Sequence, residues 1–279
     1  MPSGNPSRRN RRRRASGGRV FRPLERCSPL RSPLNYTIRP CQSRDELARC
    51  VTLQREIWGY AEYEVYPLRL FVNLAKIGGH VLGAFTPEGD VVGFVASMPA
   101  WHGRKRYYHS LSLGVLSAHE NRGLGRVLKL EQRRQSLRVG IDCIEWTFDP
   151  LKAKNSYFNL VRLGAIARRY LPDHYGPVRS RLQQGLPTDR LIAEWWLKSA
   201  RVRRAIAGKP ARATKKNPAA RVEIPKDIGR LADTHPEEAR AVQQSVRDQL
   251  LKHFARRLAI TGFEQDARAF RFLLDSYED

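Results

Sequence analysis

Apolar and polar positions change period several times along the chain, and each change predicts an element. Residues 35–40 (NYTIRP) alternate as a first strand. Ser43 then offers an N-cap to a helix on which Leu47, Val51, Gln54 and Trp58 line one side. Pro67 opens a second helix running to Ile77, and Gly78-Gly79 ends it. Strands over 81–86 and 91–97 flank Pro87-Glu88-Gly89-Asp90, which is hairpin chemistry. A strand over 109–115, a helix over 124–139, a strand over 143–148 and a helix over 152–163 follow, then strands over 165–170 and 190–197. The helix over 124–139 places Leu124, Val127, Leu128 and Leu137 on an apolar side. Near the end, a short strand over 222–225 precedes a helix over 236–257, with Ala239, Val242, Val246, Leu250 and Phe254 inward. Residues 258–263 and 269–274 then make a hairpin. This is an α/β (α+β) succession, and it implies a mixed central sheet flanked by helices.

Charge divides the chain further. The formal net charge of +24 is uneven: residues 1–34 hold ten Arg and one acid, Glu25, and residues 198–221 hold nine Lys or Arg and no acid. The expected organisation is a disordered Arg-rich tail over 1–34, a main domain over 35–197, a basic linker over 198–221 and an extension over 222–279. A helix with a two-stranded partner is marginal alone, so the extension is expected to dock on the main sheet. An Arg-rich tail can hold nucleic acid or another polyanion by counterion release. No base-reading motif or interleaved aromatics accompany it, so nucleic acid is not the favoured partner.

Other classes are disfavoured. The apolar runs are far shorter than the ~20 residues of a membrane span, and no signal-peptide core follows the basic start. The four cysteines show no C-x-x-C spacing and fall in separate elements, so the expectation is a reduced, cytoplasmic protein with no disulfide framework. No H-x-x-x-H pair exists among the seven His, and no metal site is expected.

The chemistry concentrates in residues 111–130 (LSLGVLSAHENRGLGRVLKL), an apolar strand that enters a glycine-containing basic turn and then a helix. Such a junction points backbone N-H groups at one spot by the positive end of a helix, which suits a phosphate or pyrophosphate. A dinucleotide fold wants a third glycine where Leu128 stands, and no G-x-x-x-x-G-K-[ST] occurs.

The turn Glu120-Asn121-Arg122-Gly123-Leu124-Gly125, within this order of elements, resembles the GNAT superfamily of N-acetyltransferases. That family's loop reads [RQ]-x-x-G-x-[GA]; the departure is Glu120, an acid expected to point away from a pyrophosphate or to pair with an Arg. An uncharacterised group of predicted acetyltransferases within the superfamily carries a similar C-terminal extension and a W-T-F-D-P-L segment like residues 146–151, so the resemblance spans nearly all of 35–279.

The resemblance implies the GNAT fold with a helix-hairpin extension, acetyl-CoA or another acyl-CoA as cosubstrate, and a small-molecule or peptide amine as acceptor. It implies that backbone amides of Arg122, Gly123, Leu124, Gly125 and Arg126 hold the pyrophosphate, and that an amide near Val115 or Leu116 holds the thioester carbonyl. The family's acid is often a Tyr on the helix before a G-F pair; here that position is Leu160, with Tyr157 a turn earlier as a substitute. Asn155 and Asn159, at i and i+4, share a helix face and could bond coenzyme A, the acceptor or neighbouring backbone. For the base, Glu145 and Asp149 fall on one strand face, whereas His109 precedes Val115 by about 20 Å of strand. A second reading is a non-catalytic acyl-CoA binder that uses the tail to hold a polyanion.

Overall fold

A computed structural model describes residues 30–31, 35–177, 183–209 and 217–277. The Arg-rich tail, apart from residues 30–31, and residues 210–216 of the expected linker lie outside them. Eleven strands form one mixed sheet: β1 (Leu30–Arg31), β2 (Thr37–Pro40), β3 (His80–Phe85), β4 (Val91–His102), β5 (Lys105–Val115), β6 (Cys143–Phe148), β7 (Ile166–Leu171), β8 (Arg190–Trp196), β9 (Ala220–Pro225), β10 (Leu258–Gln265) and β11 (Ala269–Ser276). Their order is β1-β2-β3-β4-β5-β6-β8-β7-β10-β11-β9. Neighbours run antiparallel except β5 and β6, which pair parallel through Tyr108 with Ile144 and His109 with Glu145.

Seven α-helices accompany the sheet among the described residues: α1 (Arg44–Trp58), α2 (Leu68–Lys76), α3 (Leu124–Arg138), α4 (Ala153–Tyr157), α5 (Ala200–Ile206), α6 (Ile228–Thr234) and α7 (Pro236–Ala255). Ser43 and Glu46 close a capping box at the start of α1, and Gly59, at φ 65°, ends it. The buried positions of α1 are Leu47, Cys50, Leu53 and Gln54, and Val51 and Trp58 of the expected side pack half-buried at the edge of the same cluster. Cys50 lies 3.8 Å, Sγ to Sγ, from Cys41, so two of the four cysteines meet. They pack with Phe71 and Leu74 of α2 against Val81, Phe85 and Phe94 on one face of the sheet. On the other face Leu124 and Leu128 of α3 meet Ile38, Leu82, Ala84, Val92 and Val95. Below that short apolar stripe α3 buries polar groups: Lys129, Glu131, Gln132, Gln135 and Ser136. Glu131 is satisfied by Arg134 and Gln135, which is why so polar a side can face inward.

Beyond β6 the core is a second cluster, in which Trp146, Leu160, Leu191, Trp195, Val202, Leu250, Phe270 and Phe272 join α5, α7 and the C-terminal strands. The helix expected over 152–163 is regular only to Tyr157; a π-turn over Phe158–Arg162 follows, with Leu163 N-H bonding Phe158 O. The expected basic linker is partly folded. Ser199 caps α5, Val202 and Ala205 are buried, and Arg201 donates to Leu160 O and Gly164 O. High charge did not prevent order there because the guanidinium is spent on backbone carbonyls.

The strands of the extension continue the sheet, β10 pairing with β7 at Ile260 and Ala167, while α7 packs Ala239, Val246 and Leu250 on its face. Arg247 of α7 forms a two-pronged ion pair with the fully buried Asp189, at 2.7 and 2.9 Å, and Tyr170 donates to the same carboxylate. Helix α6 was not anticipated from the pattern. No helix of the described residues is long and apolar enough to cross a membrane.

Candidate functional site

Strands β5 and β6 part directly after His109 and Glu145, because a bulge interrupts β5 there: Ala96 pairs with Ser112 and Ser97 with Ser110, leaving Leu111 extra. A bulge bends its strand and turns it away from its neighbour. The result is a gap that is closed at His109 and widens toward Val115. Leu116 N-H is taken by Val92 O at 2.9 Å. By the alternation of an antiparallel ladder, the Leu113 and Val115 backbone groups then face the gap. Leu116, expected to offer its amide, is thus corrected: its N-H belongs to the β4 ladder.

The mouth of the gap is the turn before α3. Asn121 and Gly123 have φ of 60° and 79°, so the chain alternates hand and turns successive amides the same way. The amides of Arg122, Gly123, Leu124 and Gly125 have no acceptor among the described residues, while those of Arg126 and Val127 already bond Gly123 O. Arg126 is corrected as well, since its N-H bonds Gly123 O at 3.0 Å, and its guanidinium donates to Ile206 O at 2.7 Å. The Arg122 side chain is turned back on Tyr36, whose hydroxyl also meets His119 Nδ1 at 2.7 Å, and this ties the turn to β2. A Cβ at Gly123 would meet nothing within 4 Å, and one at Gly125 only Leu113 at 3.9 Å. Open space in front of free amides fits a diphosphate. Glu120 does find a cation, but it is Lys154 of α4 at 2.7 Å rather than an Arg.

The far wall holds the helical candidates apart. Leu160 is fully buried, Asn159 is pinned by Trp146 Nε1-H at 3.3 Å, and Asn155 is exposed. The two Asn therefore differ in access, Asn155 facing solvent and Asn159 enclosed beside Trp146. Tyr157 is 40% exposed and packs edge-on against Phe263 of β10.

On the other side of the sheet, His109 and Glu145 sit abreast at the closed end. Burial holds the His109 imidazole below its ordinary pKa, with Glu145 pulling the other way. Glu145 is paired with Arg169 at 2.6 Å and lies 3.3 Å from His102 Nε2. Facing Glu194 on β8, it belongs to a charged row with Arg168 and Arg169. Thr147 shares a hydrogen bond of 2.7 Å with Tyr175. Tyr60 and Tyr66, between α1 and α2, lie within electrostatic reach of Tyr175, and burial pushes the Tyr66 hydroxyl up to about 12. Asp149 accepts from Leu151 N-H at 2.8 Å and borders a small cavity with Lys152, Gln183, Gln184 and Gln243; burial raises its pKa while Arg190 opposes.

Two placements were missed from sequence. His109 looked distant because the distance was taken from Val115, whereas the gap closes at His109 itself. The Tyr60, Tyr66 and Tyr175 group joins two loops that are distant in sequence, and no local pattern pairs them. Among the described residues no group of three or more His, Cys, Asp or Glu could hold a metal ion.

No protein-family model matches the chain, and no curated protein sequence matches it. Its architecture is similar to solved acetyltransferase structures. One is a putative acetyltransferase from Salmonella typhimurium with its cofactor acetyl-CoA, at 19% identity and TM-score 0.47, covering 59% of this chain and 95% of that one. Another is the ribosomal-protein-S18-alanine N-acetyltransferase of Escherichia coli, at 13% identity and TM-score 0.46, covering 59% and 96%. A GNAT-family acetyltransferase from Streptococcus pneumoniae stands at 16% identity and TM-score 0.47, covering 57% and 98%.

Proposed function

We propose that the protein is an acyl-CoA-dependent N-acyltransferase of GNAT type, using acetyl-CoA as donor and a small-molecule or peptide amine as acceptor. The observation that carries this reading is the gap between β5 and β6, opening from the His109 and Glu145 pair onto the free amides of 122–125. A diphosphate held at those amides leaves the pantetheine arm to run inward along the gap. The thioester carbonyl then accepts a hydrogen bond from a gap-facing amide, Leu113 or Val115, and the same bond stabilises the oxyanion formed on attack.

The amine approaches from the His109 side, between Tyr60, Tyr66 and Tyr175. His109, kept neutral by burial, removes its proton. This role suits His109 better than Glu145, whose carboxylate is committed to Arg169, or Asp149, about 13 Å farther along β6. The amine lone pair forms the C-N bond and the C-S bond breaks, the electron pair leaving on sulfur.

Calorimetric titration with acetyl-CoA, followed by an amine panel with free-thiol detection, tests the reading. Micromolar binding and thiol release with at least one amine are expected; no heat at millimolar donor would sink it.

A further inference from the structure

On the α3 side of the closed end lies a set of buried polar groups that the steps above do not use. Lys129 of α3 is 1% exposed and no carboxylate partners it among the described residues. Its Nζ donates to Ser110 Oγ and to Gln132 Oε1, each at 3.0 Å, and stands 3.8 Å from the centroid of the Trp146 ring. An ammonium buried without a counter-charge is costly, and Met would fill the same space without that cost, so packing alone does not account for it.

Its position is informative. Ser110 is one residue beyond the last parallel pair on β5, and Trp146 is one beyond it on β6. Lys129 therefore sits under the point where the gap begins. Ser110 Oγ accepts from Lys129 and, at 3.2 Å, from Gln132 Nε2. Two donors occupy both of its lone pairs, which leaves the hydroxyl proton as the part with no partner among the described residues. On the far wall Leu160 supplies no proton, and Tyr157 packs against Phe263.

We propose that Ser110 gives its proton to the thiolate that leaves the acyl donor and is reprotonated by Lys129, the pair replacing the hydroxyl that Leu160 lacks. This rests on the acyltransferase reading. The acceptor ammonium and the amide nitrogen give up two protons through His109, sulfur gains one from Ser110, Ser110 regains one from the Lys129 ammonium, and the Lys129 amine recovers one from solvent when product leaves. One proton is released per turnover. Burial holds the Lys129 pKa well below the usual lysine range, and the Trp146 ring face under Nζ opposes it by favouring the ammonium. Ser110 would touch the reacting sulfur; Lys129 acts through it as a positioning and proton-supplying residue.

The test compares two donors, acetyl-CoA and para-nitrothiophenyl acetate, whose thiolate leaves without a proton, using the panel amine that the wild type acetylates best. Ser110→Ala, which removes one hydroxyl, is expected to lower kcat with acetyl-CoA about 100-fold at unchanged acetyl-CoA affinity, while turnover of the aryl thioester stays within about threefold of wild type. Lys129→Met, with its fold checked by thermal melting, should show the same split. Equal losses on both donors, or no loss with acetyl-CoA, would overturn the proposal while leaving the acyltransferase reading in place. A wild type that neither binds nor turns over acetyl-CoA would overturn both. Should Lys129→Met fail to fold, the Ser110→Ala result decides alone.

Discussion

The half of the sheet before the gap and the half after it are built on different terms. From β2 to β5 the strands are apolar on both faces, with Phe71 and Leu74 on one side and Leu124 and Leu128 on the other. From β6 onward a large apolar cluster lies on one face, and the other carries Glu145, Glu194, Arg168 and Arg169. Two parallel residue pairs join the halves. A sandwiched sheet tolerates no displacement, whereas a sheet with one ion-paired face leaves a surface that a ligand can reach. The candidate site lies along the boundary because there the two modes of packing have to part.

The comparison breaks most severely where the second half is pinned by charge. Asp189→Ala leaves Arg247 and Tyr170 without the carboxylate that holds α7, and should destabilise by about 3–5 kcal/mol in urea unfolding. Adding Arg247→Met should recover part of that loss, and recovery of none would deny the pairing its role. The first half should instead be sensitive to acid. His80 is fully buried at the sheet interior, and burial lowers its pKa to about 3. The folded state prefers the neutral ring, so stability from this group is complete above pH ~6.5 and is lost as pH falls toward 3, by roughly 5 kcal/mol in all. Melting curves of wild type should therefore drop faster with acid over that window than those of His80→Gln; parallel curves would refute the assignment.

Smaller effects sharpen the view of the boundary itself. Gly123→Ala places a Cβ in open space but at φ 79°, so the cost is strain of about 1–2 kcal/mol without a clash. Acetyl-CoA affinity should fall about tenfold in calorimetry as the amides lose their aim. Glu120→Gln removes an exposed ion pair with Lys154 and should change stability by less than about 0.5 kcal/mol. It should raise acetyl-CoA affinity by about two- to fivefold at low salt, since a carboxylate no longer faces the diphosphate and Lys154 is released toward it. An unchanged affinity would place both side chains outside the site.

Much of the fold could be read from local pattern. The hairpin at residues 87–90, the capping box at Ser43 and the turn at Gly123 depend on neighbours in sequence, and each forms as its residues require. The helix sides were less legible. On α1 the drawn stripe omitted Cys50 and Leu53, which are buried deeper than Val51 and Trp58, since which apolar residues sit deepest in a core depends on the surface they meet. On α3 the expected apolar side of Leu124, Val127, Leu128 and Leu137 omits the buried Lys129, Glu131 and Gln132, and only their partners on β5 and along the helix make burial tolerable. The basic stretch around Arg201 looked unfolded for the same reason: its acceptors, Leu160 O and Gly164 O, lie about 40 residues away.

What the sequence determined alone is the strand, glycine turn and helix, because φ at Gly123 and the orphan amides of a first helical turn follow from local geometry. Tertiary structure decided which residues stand at the end of the gap. The bulge at Leu111 exists only against β4, the pairing of His109 with Glu145 only against β6, and the contact of Ser110 with Lys129 only where α3 packs on the sheet. Side-chain chemistry is written residue by residue, but its arrangement depends on strand register, and register is a property of two strands together.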